Sequence, residues 1–102
     1  MLILNRRVGE TTVIGDREIN VIVLAANRSR DSLGIEAGPD DPMSIINLRD
    51  GETTVIGDRE ITIIVLNTRR GRARLGIEAD QDIPIFREEL LAKPEQENDY
   101  VH

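Results

Sequence analysis

Short runs of β-branched and other apolar residues alternate with polar turns along most of the chain. In the first half, residues 11–14 and 19–24 form two such runs, and β-branched residues favour the pleated conformation. Gly15-Asp16 lies between them and favours a tight turn, because glycine adopts positive φ without steric penalty. A polar loop and a third run through residues 33–35 follow. The pattern predicts a protein made mainly of β-strands.

The pattern occurs twice. Residues 9–24 and 51–66 are identical at fourteen of sixteen positions, at an offset of 51 − 9 = 42 residues. A looser match continues beyond them, and chance does not produce such similarity, so the chain contains a natural or engineered duplication. We expect a first repeat over 1–42, a second over 43–94 and a flexible tail over 95–102.

Neither repeat is expected to fold alone. A unit of about 40 residues buries too little apolar surface to be stable without partners. The near-continuous apolar run 21–24 is typical of a strand covered on both faces. We therefore expect the two repeats to pack as one β-unit. Helix formers at 88–93, ended by Pro94, predict one short C-terminal helix.

Composition narrows the function classes. The 102 residues contain no cysteine, and no apolar run reaches the roughly 20 residues that cross a bilayer, so a soluble cytoplasmic protein is expected. A net charge of −6 argues by itself against nucleic acid, although a local arginine cluster can still hold phosphates. With His102 the one histidine and no metal-loop or phosphate-loop pattern present, we expect no enzyme, cofactor or metal site.

Four segments in combination resemble the carbon storage regulators, the CsrA/RsmA family. They are MLILNRRVGE at residues 1–10, Ile14-Gly15-Asp16, the Leu75-Gly76-Ile77 strand, and IFREE at 85–89. The resemblance implies an intertwined antiparallel β-fold, in which the first and last strands of one subunit join the middle strands of the other. It also implies binding of GGA-containing loops of messenger RNA or small regulatory RNA, with effects on translation. A protein antagonist is a further partner that the family implies.

Carried over by position, the resemblance gives six RNA-binding residues from the two ends of the chain. They are Leu4, Arg6 and Arg7 of the first strand and Ile85, Phe86 and Arg87 of the last. Phe86 stands where the family commonly has histidine. The planar fork of a guanidinium suits phosphate oxygens and guanine. The alternative for Arg6 and Arg7 is a solvated edge charge that discourages aggregation. The alternative for Arg87 is an ion pair with Glu88 or Glu89.

A second basic group offers peripheral phosphate contacts. It consists of Arg69, Arg70 and Arg72 in a predicted loop and the start of the next strand. A solvated loop with no ligand is the competing interpretation, and the sequence leaves both open.

The duplication is unequal where the two copies join. Shifted by 42, Arg6 falls on Leu48, Arg7 on Arg49, and Arg87 falls back on Ile45. We expect the linker strand at 43–49 to replace both the last strand of the first repeat and the first strand of the second. The result would be a single-chain pseudo-dimer with one intact RNA site, or else two chains that exchange strands. A protein-interaction module that has lost RNA is the alternative function.

Overall fold

The computed structural model describes residues 1–15, 19–38, 42–56 and 61–91, and every structural statement below concerns these residues. They form nine strands and one helical turn. In chain order these are β1 (Leu2–Arg7), β2 (Thr11–Ile14), β3 (Ile19–Asn27), β4 (Arg30–Glu36), β5 (Ser44–Arg49), β6 (Thr53–Ile56), β7 (Ile61–Arg69), β8 (Arg72–Glu78), β9 (Ile85–Arg87) and α1 (Glu88–Leu91). With four residues, α1 is far too short to cross a bilayer, and no other helix in the described ranges could.

The strands form two antiparallel sheets that exchange elements between the repeats. One sheet has the order β1-β8-β7-β6 and the other has the order β5-β4-β3-β2-β9. Strand β1 of the first repeat therefore pairs with β8 of the second, and β9 of the second repeat pairs with β2 of the first. The mainly β, intertwined architecture predicted from the sequence is confirmed.

The core lies between the sheets and draws equally on both repeats. Along the first five residues of β3 and β7 every second residue points inward, as the two-residue period of a strand requires, and a bulge after Val23 and after Val65 then shifts this pattern. Val23, Leu33, Val65 and Leu75 have no exposed surface, and they belong to one continuous apolar cluster. Each repeat thus supplies the cover that the other lacks.

The linker strand fills one position and not two. Strand β5 pairs with β4, from Arg30 opposite Arg49 to Ile35 opposite Ser44, and takes the place of a first strand. Strand β6 ends its sheet, and within the described ranges no strand pairs with its outer edge. The prediction that residues 43–49 replace both strands is therefore wrong. The edges of β4 and β6 belong to different sheets, and one six-residue strand reaches only one of them.

Candidate nucleic-acid interface

The two ends of the chain meet through a buried arginine. The guanidinium of Arg6 donates to both carboxylate oxygens of Glu89, from Nη2 at 2.8 Å and from Nη1 at 3.0 Å. Nη2 also donates to the carbonyl oxygen of Thr11 at 2.9 Å. Arg6 is only 1% exposed, whereas the Glu89 side chain is 47% exposed. This fork-shaped pair ties the edge strand β1 of one sheet to α1, which follows the edge strand β9 of the other.

A groove of about 340 Å³ opens beside this ion pair. Its lining residues are Asn5, Arg6, Arg7, Glu10, Arg72, Arg87 and Glu89. Arg7 and Arg72 are direct cross-strand partners, and both side chains are exposed. Like charges directly opposite each other destabilise a sheet, so an anion between them would relieve the repulsion. The exposed Arg87 adds a third cation from a third strand.

A tight turn fixes the backbone on which Arg7 stands. Gly9 has φ +92°, a conformation that side chains other than glycine rarely adopt. The carboxylate of Glu10 accepts a 2.7 Å hydrogen bond from the backbone N–H of Arg7, and the N–H of Glu10 donates to the Arg7 carbonyl at 3.0 Å. The end of β1 is therefore rigid, while the Arg7 guanidinium stays free to reach a ligand.

The groove has a net positive charge, because four arginines and two glutamates line it. Hydrogen bonding from Arg6 lowers the pKa of the Glu89 carboxyl, more than its partial burial raises it, so Glu89 stays ionised and committed to Arg6. Glu10 lies 3.8 Å from the Arg6 guanidinium and is held by the Arg7 backbone. The acids thus serve the interior and the turn, and Arg7, Arg72 and Arg87 face the solvent.

The six predicted RNA-binding residues divide by exposure. Leu4 lies in the core at 7% exposure, beside the buried Arg6 on the same face of β1. Ile85 and Phe86 are half-buried on β9, opposite Ile14 and Val13. Arg7 and Arg87 are exposed at the groove. The structure thus brings the two chain ends together but turns only part of the set towards solvent.

The three arginines predicted to make peripheral phosphate contacts lie at different sites. Arg72 belongs to the groove itself, opposite Arg7. Arg70 lines a separate pocket with Asn27, Arg28 and Arg30, at the point where the two hairpin loops converge. The N–H of Gly71 donates to the carbonyl of Ala26 at 2.9 Å and holds these loops together. Arg69 is exposed at the end of β7.

The second half of the molecule keeps the turn and the arginine pair but lacks the rest. Glu52 accepts a 2.7 Å bond from the backbone of Arg49, as Glu10 does from Arg7, and Arg49 stands opposite Arg30. Leu48 occupies the place of Arg6 and is 6% exposed. Within the described residues no strand matches β9, so this side has no counterpart of Arg87.

Sequence reasoning missed a buried acid in this second half. Asp31 is 1% exposed and stands opposite Leu48, where the other repeat has Ala73 opposite Arg6. Burial raises the pKa of the Asp31 carboxyl to about 6, the Thr68 hydroxyl opposes this rise, and the nearby Asp50 adds to it. A charged residue at an inward strand position, where the other copy has alanine, was the available signal.

The crossed strands and the arginine groove define the class of protein: an intertwined antiparallel β-sheet protein with a cationic surface groove. The sequence model of the CsrA family, described as a global regulator protein family, matches residues 1–42 and again 43–96. The chain therefore belongs to the CsrA family, as a tandem duplicate. The family is one of RNA-binding post-transcriptional regulators and not of enzymes. No solved structure matches the chain.

Proposed function

We propose that this protein binds GGA-bearing loops of messenger RNA or small regulatory RNA in the arginine groove, through one site per chain, and thereby modulates translation. The observation that carries the proposal is the convergence of Arg7, Arg72 and Arg87 from three strands on one groove. Only one half of the molecule has all three.

The groove offers two kinds of contact that RNA requires. Exposed guanidinium groups fit phosphate oxygens and the Hoogsteen edge of guanine, and each charge-assisted bond contributes about 1.5–3 kcal/mol. Strands β1 and β9 are both edge strands in the described part of the chain, so their outer N–H and C=O groups are open to base edges. Together these contacts can read bases and hold the backbone of a loop.

In this proposal, the buried residues Arg6 and Leu4 contribute by positioning the strands of the groove. Arg6 holds Glu89 and so keeps β9 and α1 beside β1. Leu4 anchors β1 in the core. Ile85 and Phe86, being half-buried, present apolar surface on which one base can pack. Direct polar contact with RNA then falls to Arg7 and Arg87, with Arg72 beside them.

Flanking phosphates are proposed to bind at the converged hairpin loops. Arg28, Arg30 and Arg70 line one pocket there, with Asn27 as the fourth lining residue, and Arg69 lies nearby in sequence. Contacts of this type add affinity without base specificity. The positive charges of these arginines also oppose the repulsion that a net charge of −6 exerts on an RNA lying along this side of the molecule.

We propose a pseudo-dimeric monomer as the assembly state, because one chain can make all the cross-repeat pairings described above; a strand-exchanged homodimer is the alternative. A protein-interaction role is the second candidate function. The observation that favours it is the outer edge of β6, with which no strand pairs in the described part of the chain. A protein antagonist would be compatible with RNA binding elsewhere on the surface.

The test is binding to an RNA hairpin with GGA in its loop, compared with the same hairpin carrying a loop without GGA. We expect preference for GGA, and affinity that falls with salt with a log–log slope of about −0.7 per phosphate contacted. Equal affinity for the two loops, or no dependence on salt, would exclude the proposal and leave the protein-interaction role.

A further inference from the structure

Strand β6 is an edge whose sequence matches a strand that is paired on both sides. Residues 9–19 and 51–61 are identical, so β2 and β6 are both Thr-Thr-Val-Ile within the same longer segment. Strand β2 pairs with β3 on one side and β9 on the other. Strand β6 pairs with β7 in the same register and has no described strand on its other side.

Equivalent residues of β2 and β6 differ in their exposure to solvent. Val13 of β2 is 1% exposed, whereas Val55 of β6 is 62% exposed. Thr11 is 8% exposed and therefore buried, whereas its counterpart Thr53 is exposed to solvent. The cover over β2 comes from β9 and from α1, which packs against both β2 and β9. An identical segment is thus buried in one half of the molecule and open in the other.

An apolar groove of about 320 Å³ runs beside the open edge. Its lining residues are Ile35, Ala37, Pro42, Ser44, Ile46, Val55 and Ile56. In the other half, Ile83 and Ile85 pack against the core beside the equivalent strand β2. The groove therefore offers apolar lining of the kind that aliphatic side chains on a strand paired with β6 would contact.

We propose that the edge of β6 binds an extended segment from another protein, with the sequence character of residues 83–91. That character is a short strand with aliphatic residues and one phenylalanine, followed by a helical turn of two glutamates and two leucines. The identity of the two edges carries this assignment, because the chain itself shows which sequence covers a Thr-Thr-Val-Ile edge. Strand addition of this kind derives its affinity from main-chain hydrogen bonds and its specificity from side-chain pockets.

A second copy of the chain does not supply this segment without loss. In the described part of the chain, β2 and β6 have the same sequence, and a single strand, β9, covers β2. If one molecule donates its β9 to β6 of a second molecule, β6 of the second is covered but β2 of the first is left uncovered. The donor is therefore a different protein, and the site lies outside the proposed RNA groove.

The experiment uses the full chain and a synthetic peptide of sequence IPIFREELL, which is residues 83–91. Titration followed by nuclear magnetic resonance should shift the amides of Thr53, Thr54 and Val55 saturably and slow their hydrogen exchange. A peptide with aspartate in place of the isoleucine and phenylalanine that match Ile85 and Phe86 should bind at least tenfold more weakly.

Substitutions at two positions separate the site from the rest of the surface. Val55→Asp lies at an exposed position and should weaken peptide binding at least tenfold, with Val55→Lys as a second variant of opposite charge. Ile45→Asp, at a 65% exposed position on β5, should leave peptide binding unchanged. All three variants should bind GGA hairpins like the parent, so the outcome is independent of the RNA proposal.

Three outcomes would overturn the inference. One is the absence of saturable shifts at β6. Another is binding of the peptide only at β2, with displacement of β9. The third is a dimer that pairs β6 with β6 of a second copy, recognised by a doubled mass that Val55→Asp abolishes and that the peptide does not compete.

Discussion

The same strand sequence occurs in both halves of this molecule, but it is buried in one half and largely exposed in the other. Strand β2 is buried along its whole length, whereas β6 has only Ile56 in the buried class. One half carries Arg6, Arg7, Arg72 and Arg87 around a groove, and the other retains only the pair Arg30 and Arg49. The comparison teaches that the end strands, and not the repeated middle, decide which copy of the strand is buried and which half carries the arginine groove.

The largest expected effect contrasts Val13→Asp with Val55→Asp. A carboxylate at the 1% exposed Val13 would be buried without a partner and should destabilise the fold by more than about 4 kcal/mol. At the 62% exposed Val55 the same change should stay within about 0.5 kcal/mol. Urea unfolding midpoints measure both, and equal losses would show that the two edges are equally covered.

A second contrast concerns RNA. Arg87→Ala removes a guanidinium that the second half lacks, and should weaken GGA hairpin binding roughly ten- to a hundred-fold, or about 1.5–3 kcal/mol. Arg49→Ala, at the position equivalent to Arg7, should change the affinity less than about twofold. Filter binding with matched circular dichroism spectra would measure both. Similar losses in the two variants would remove the distinction between the halves.

The third prediction concerns the ion pair that joins the chain ends. Glu89→Gln leaves the buried Arg6 without its carboxylate and should lower the free energy of unfolding by about 2 kcal/mol at pH 7. Because the pKa of Glu89 is lowered in the folded state, its stabilisation is complete above the ordinary pKa near 4.5 and is lost as the pH falls through the lowered value. The parent and the variant should therefore converge in stability at acidic pH, and a constant gap between them would contradict this role.

The smallest expected effect concerns Asp31. Its contribution to stability changes with pH in the opposite direction to that of Glu89. Its folded pKa of about 6 exceeds the ordinary 3.8, so the folded state binds the proton more tightly and stability falls as the pH rises from about 4 to 6. Asp31→Ala copies Ala73 of the other repeat. It should raise stability at pH 7 by about 1 kcal/mol and remove this pH dependence. Unfolding midpoints at pH 5 and pH 7.5 test it, and a less stable variant at pH 7.5 would contradict the prediction.

The strands could be predicted from the sequence, because β-branched runs and glycine turns are local signals. The 42-residue offset predicted two repeats packed together, whereas the crossing of their strands was predicted only through the resemblance to the CsrA family. The burial of Arg6 could not, although its spacing of two from Leu4 places both on one strand face. The vacancy beside β6 also escaped prediction, since it depends on which sheet edge the linker strand reaches. Within the predicted helix at 88–93, residues Glu88–Leu91 are helical, and residues 92 and 93 lie outside the described residues, as does the predicted tail at 95–102.

The stoichiometry of the RNA complex tests most directly whether the two halves differ in function. Light scattering and isothermal titration on the same sample give the mass of the protein and the number of GGA hairpins bound. We expect a monomer of 11.4 kDa that binds one hairpin. Two hairpins of equal affinity on each chain, or a dimer whose sites form only between chains, would contradict a single complete groove.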